Sequence, residues 1–208
     1  MIPKTIQQKL DEGRQYRSVV EIKALEDEMI VDGYATTFND PYELWRDGDY
    51  IVMEQVDADA FAETDMSDVI MQYDHEGRVF ARLSNGTLEV NPDDHGLHVR
   101  ANLGGTEIGR QLYEEIKGGY TDKMSFGFTV SEDEVVTTEN EGGTTILRTI
   151  KGIGKLYDVS AVSIPANNAT EISARSFCEG VIAEAAEERR KAEERERRIR
   201  KIKIISEV

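Results

Sequence analysis

The sequence predicts an α+β fold: a β-rich, mainly antiparallel domain, partly closed as a barrel, with a few flanking helices and a charged C-terminal helix. Short runs of β-branched and aromatic residues recur between clusters of Gly, Asn, Asp and Pro. Only two or three stretches carry helical periodicity, and strands do not alternate with helices as a parallel βαβ fold requires. Past about Cys178 the pattern turns to Glu and Arg at helical spacing.

Taken in order, Ser18 to Ile22 and Met29 to Thr37 read as a hairpin broken at Glu26-Asp27-Glu28. Residues 39–49, "NDPYELWRDGD", concentrate turn formers around the single tryptophan and read as an ordered loop. Asp57 to Thr64 reads as a short helix begun by Asp57 or Asp59. "VIMQYDHEGRVFARL" supplies one or two strands, Asn85-Gly86 a type I′ hairpin turn, and "TLEVNPDDHGLHVRANL" two more strands. Thr106 caps an amphipathic helix with Ile108, Leu112, Tyr113 and Ile116 on one side, stopped by Gly118-Gly119.

That helix leads into "DKMSFGFTV", where Met124, Phe126, Phe128 and Val130 alternate with Ser125, Gly127 and Thr129. One face is apolar. The other is small and polar, and either meets solvent or keeps room beside Ser125. An acidic, glycine-containing hairpin follows over 131–150, then a strand "GKLYDVSAVSIPANNA" that ends at Pro165. In the tail, Glu187 with Lys191, Glu193 with Arg197, Glu194 with Arg198 and Glu196 with Arg200 are spaced for i,i+4 pairing. The chain thus divides into a domain over 1–177 and a charged helical extension over 178–208, either solvated or bound to a partner.

The net charge is −16, from 25 basic and 41 acidic side chains, which argues against a nucleic-acid surface. Residues 179–203 hold nine Lys or Arg against seven Glu, so the acidic excess lies on the preceding domain. No apolar run is long enough to span a bilayer, and Met1-Ile2-Pro3-Lys4 opens no signal core, so a soluble cytoplasmic protein is expected. The lone Cys178 excludes an internal disulfide.

His75 closes a strand whose Val69, Met71 and Tyr73 share its face, as a packed core residue or as a base lining a cleft. Asp158 is an acid inside an otherwise apolar strand, a place that calls for a partner. Nucleophilic catalysis needs a serine within reach of an imidazole oriented by a third group, and Ser125, His75 and Asp158 supply the types. A metal set from Asp93, Asp94, His95 and His98, or from Asp74, His75, Asp93 and His95, is disfavoured because the spacing crosses a turn. No phosphate-binding glycine motif and no CxxC is present, so neither cofactor nor metal is expected.

"QYDHEGRVFARLSNGTLEVNPDDHGLHVRANL", "DKMSFGFTV" and "LYDVSAVSIPANNA", in that order, resemble the three blocks of the prohead (capsid maturation) serine proteases of tailed phages. That family is similar in fold to the herpesvirus assemblin proteases, and the resemblance covers about residues 18 to 177, making 1–177 the protease domain. It implies His75 as general base, Ser125 as nucleophile and Asp158 as third member, whereas assemblins use a second histidine there. Backbone amides of "PANN", at Asn167 and Asn168, are expected to form the oxyanion hole.

The resemblance further implies cleavage of scaffolding sequence and of the N-terminal segment of the major capsid protein inside the procapsid in the host cytoplasm, with self-cleavage. Partners would be those proteins and further copies of the chain. The competing class is a catalytically silent scaffolding or structural capsid-assembly protein with the same fold.

Overall fold

The structure, a computed structural model, describes residues 6–25, 28–163 and 168–206. A short helix α1 (Ile6–Asp11) precedes eight strands: β1 (Gln15–Leu25), β2 (Ile30–Thr37), β3 (Tyr42–Asp47), β4 (Tyr50–Val56), β5 (Ile70–Tyr73), β6 (Glu76–Arg82), β7 (Leu88–Pro92) and β8 (Gly96–Asn102). Helix α2 (Glu107–Lys117), two long strands β9 (Lys123–Asn140) and β10 (Gly143–Val162), and helix α3 (Asn168–Ser206) complete the chain.

The ten strands form one sheet, ordered β3-β4-β10-β9-β1-β2-β8-β7, with β5 on β10 and β6 on β5. β10 is its spine. One edge pairs with β9 along almost its whole length, and the other takes β4 at residues 144–150 and β5 at 158–161. Those two pairings are parallel and the remaining ones antiparallel, in keeping with an α+β domain of mainly antiparallel strands. The expected barrel does not appear in the pairing. Closure would need the end strands β3 and β7 to meet, and the path between them stays open.

Several local expectations are corrected. Residues 42–47 form β3, a hairpin partner of β4 turned by Gly48 at φ 54°, because Leu44 and Trp45 find a sheet to pack on. Asp57 to Thr64 makes successive i→i+3 turns, Ala60 N to Asp57 O and Thr64 N to Phe61 O, without becoming an α-helix. Asn85-Gly86 ends a single 3₁₀ turn (Leu83–Asn85) and joins no hairpin, since β6 pairs with β5 and β7 with β8.

Helix α2 follows its sequence signals closely. Thr106 accepts from Gly109 N at 3.1 Å, Leu112, Tyr113 and Ile116 are buried, and Gly119 takes φ 71° past the end. Phe126 and Phe128 of β9 stack at 4.4 Å in the main core, beside Leu156, Val159 and Ala161 of β10. Fully burying each such side chain is worth about 1.5–3 kcal/mol.

The helix expected from Cys178 already begins at Asn168, and its first half packs on the sheet: Cys178 and Ala185 are buried with Val52 and Ile146. Beneath it lies an ion network. Arg17 (1% exposed) donates to Glu54 (0%) at 2.5 and 2.9 Å, Arg148 donates to Glu54 at 2.8 Å, the Tyr42 hydroxyl donates to Glu54 at 2.5 Å, and Phe177 covers the Arg148 guanidinium at 4.1 Å.

Candidate active site

β9 carries Ser125 directly opposite Ser160 of β10 on one side and Ser18 of β1 on the other. Asp158 stands two residues before Ser160, so their side chains share a face, and the Ser160 hydroxyl donates to Asp158 Oδ1 at 3.0 Å. Both partners come from one hairpin. The third group arrives from fifty residues upstream, where β5 and β6 are joined by Asp74 and His75 alone.

His75 is not the last residue of a strand, as alternation implied. β5 ends at Tyr73, and Asp74 and His75 turn the chain with φ 49° and 60°. Two consecutive left-handed residues fit a type I′ turn, whose twist matches a tight hairpin. The turn, in place of strand alternation, aims the imidazole inward. His75 Nε2 lies 2.6 Å from Ser125 Oγ and Nδ1 lies 2.5 Å from Asp158 Oδ1.

The protonation pattern follows from the inventory of donors. Burial pushes the Asp158 carboxyl up, but the His75 imidazole, the Ser160 hydroxyl and the Lys9 charge outweigh it and hold it below the ordinary aspartate value. A carboxylate only accepts, so His75 Nδ1–H donates to Asp158. In neutral imidazole Nε2 is then the acceptor, and the Ser125 hydroxyl donates to it. The Ser125 proton is therefore already directed at a base. Ser125 and His75 are 0% exposed and Asp158 1%.

Further residues complete the site, of which Gly127 was marked in the sequence by its place on the small face beside Ser125. The Tyr16 ring lies 4.3 Å from the His75 ring, and burial, then the Asp158 charge, push its phenol well up, so it stays neutral. Gly127 belongs where the strand faces Asp158: a Cβ there would stand 2.6 Å from Asp158 Oδ2 and 2.8 Å from Tyr16 Cε1. Lys9 Nζ donates to the His75 carbonyl at 2.6 Å. Ser160 had a readable signal in its place on the face of Asp158; Tyr16 and Lys9 had none.

The other candidates lie elsewhere. His98 Nε2 is 3.2 Å from Asp32 Oδ1, and His95 packs edge-on to Tyr34 at 4.6 Å. Asp93 accepts from the Tyr34 hydroxyl at 2.8 Å and caps its own turn, while Asp74 accepts from Ser163. Among the described residues no group of His, Cys, Asp or Glu could hold a metal ion. Asn167 lies outside the described residues, and Asn168 is described only as the first residue of α3. A cleft of about 590 Å³ flanks the His75 turn, with Tyr73, Phe80, Ile108 and Leu112 as its apolar lining and Glu76 and Glu115 among its polar residues.

The arrangement can perform nucleophilic acyl transfer: an oriented imidazole, a hydroxyl hydrogen-bonded to it and a carboxylate behind it. Residues 18–181 match the family model of the caudovirus prohead serine protease. No curated protein and no solved structure matches the chain.

Proposed function

The chain belongs to the caudovirus prohead serine protease family, and from that premise we propose that it is the endopeptidase of capsid maturation, with Ser125 as nucleophile, His75 as general base and Asp158 as the carboxylate that orients it. The observation that carries this reading is the Ser125–His75–Asp158 chain of contacts at 2.6 and 2.5 Å.

In the proposed reaction His75 Nε2 takes the Ser125 proton as Oγ attacks the scissile carbonyl carbon. Asp158 stabilises the imidazolium through Nδ1–H. His75 then returns the proton to the departing amine, leaving an ester on Ser125. Water attacks that ester, again losing its proton to His75, and frees the acid product and the enzyme. Backbone amides of residues 165–168 are proposed as the oxyanion donors, because they follow in sequence on β10, the strand that carries Asp158.

The proposed substrates are scaffolding segments and the N-terminal segment of the major capsid protein, cut within the assembling procapsid. Self-cleavage is proposed for the same enzyme, which would act as a homo-oligomer on these partners. Residues 1–177 would form the protease domain and 178–208 an extension that serves encapsulation or self-processing.

Wild type and Ser125→Ala are to be co-expressed with the capsid and scaffolding proteins and every chain read by intact mass. Shortened chains with wild type and full-length chains with Ser125→Ala are expected. Full-length chains in both would end the proposal.

A further inference from the structure

We propose that Asp74 is a positioning residue for His75, acting through a clamp on the end of β10; this rests on the reading of His75 as the general base. Residues 74 and 75 are the whole connection between β5 and β6, with Tyr73 paired to Glu76 on either side. Both have left-handed φ, 49° and 60°, a conformation for which Asn-Gly is the usual pair. Glycine is impossible at the second position if an imidazole is required there. At the first, glycine would relieve the backbone but could not hold anything.

Asp74 holds a good deal. Its carboxylate accepts from Ser163 N at 3.0 Å and from Ser163 Oγ at 2.9 Å, while its own N–H donates to Ala161 O at 3.0 Å. Ser163 follows directly on β10, the strand that carries Asp158. One strand therefore grips His75 twice: Asp158 holds the ring, and Ser163, through Asp74, holds the turn from which the ring projects. Without the second grip the turn keeps the residue 74 N–H to Ala161 and the Lys9 contact but loses both bonds to Ser163, at the tip of a hairpin whose β5 has only four residues.

The test compares Asp74→Asn, Asp74→Gly and Asp74→Ala. Asn tolerates the left-handed backbone, keeps an acceptor for Ser163 N–H and offers an amide to the Ser163 hydroxyl. Capsid-protein processing is expected to slow on the order of tenfold to a hundredfold in the Gly and Ala variants, and by no more than about threefold in Asn. The downfield proton NMR signal of His75 Nδ1–H should persist in Asn and broaden or vanish in Gly, with melting curves confirming folded chains. Wild-type processing and an unchanged signal in Asp74→Gly overturn the clamp, as does a loss in Asp74→Asn equal to that in Asp74→Ala. If no chain is processed even by wild type while the signal still follows the series, the protease reading fails and the clamp stands.

Burial of the triad carries a second inference. With Ser125 and His75 0% exposed, no peptide carbonyl can touch Ser125 Oγ in this conformation. α1 lies against the same turn: Lys9 is half-buried and donates to the His75 carbonyl at 2.6 Å. Arg14, which follows α1, stacks on Tyr157 at 3.5 Å beside Asp158. We infer that α1 and the bend at Gly13 are an inhibitory cover that must lift before substrate enters.

A fluorophosphonate probe reads access to Ser125 in the parent and in a chain with a site-specific protease sequence inserted at the exposed Gly13 bend, before and after it is cut in the folded state. Labelling about tenfold faster after the cut supports the cover. Rates equal to or below the parent's, in chains with unchanged melting temperature, overturn it. Equal labelling of Ser125→Ala and parent would instead count against Ser125 as nucleophile.

Discussion

A methyl group at Gly127 would crowd Asp158 Oδ2 and the Tyr16 ring together, at 2.6 and 2.8 Å. Something must move, and both neighbours bear on His75. Gly127→Ala is expected to cost about 1–3 kcal/mol of stability in denaturant titration and processing activity on the order of a hundredfold. A variant that loses stability but keeps activity would show that the crowding is absorbed away from the triad. Asp158 gives a second prediction at this scale. Its pKa is lower folded than its ordinary 3.8, so the folded state binds fewer protons; the stability it contributes is full above that value and lost as pH falls through the folded one. The stability gap between wild type and Asp158→Asn, measured by denaturation, should be constant near neutrality and shrink in acid. Ser125, His75 and Asp158 were legible as a serine, a histidine and an acid in blocks of recognisable order. Asp74 and Tyr16 were not, because their contacts cross from one part of the chain to another and leave no periodic trace.

Among the elements, α2 was the most legible, since cap, apolar spacing and stop are all local. β3 was misread because its Asp, Gly and Pro neighbours outweighed a strand that exists only when β4 lies beside it. The network joining β1, β4 and β10 through Arg17, Glu54 and Arg148 was invisible for the same reason. Burial pushes the Glu54 carboxyl up, yet the two guanidiniums and Tyr42 hold it below the ordinary range. Glu54→Ala would remove the carboxylate that two buried cations share, leaving Arg148 with Asp133 alone as its acid partner, and a loss of about 3 kcal/mol is expected by denaturant titration. Glu196→Ala, which removes an exposed pair with Arg200 on α3, is expected to change stability by no more than about 0.5 kcal/mol. Similar costs for the two would mean that the buried network is not what ties these strands together.

At the scale of the whole molecule, α3 is one helix with two environments. Up to Ala185 it covers the face formed by Val52, Ile146 and Trp45; beyond that it is exposed almost throughout. Removing residues 190–208 is expected to leave the melting temperature unchanged within about 2 °C, whereas removing 174–208 should lower it by 8 °C or more, at roughly 2–4 °C per kcal/mol. Equal melting temperatures would show that the covered face contributes nothing. The charge pattern made the outer half of α3 readable, while its inner half lacked that signal and was joined to the preceding domain. The parallel pairings of β10 with β4 and β5 were equally hidden, because they join segments far apart in the chain.

That last pairing has a consequence for a newly made chain. Ser125 and Asp158 sit on a β9–β10 hairpin that can form by itself, but His75 reaches them only when β5 docks against β10 across 83 residues from His75 to Asp158. Long-range pairing closes late, after local hairpins have formed. A chain only partly collapsed, with the β9–β10 hairpin formed and β5 not yet docked, holds Ser125 and Asp158 with no imidazole between them. The Ser125–His75 contact thus forms only with the last long-range docking step, and hydrogen exchange on refolding should protect β9 and the end of β10 before β5.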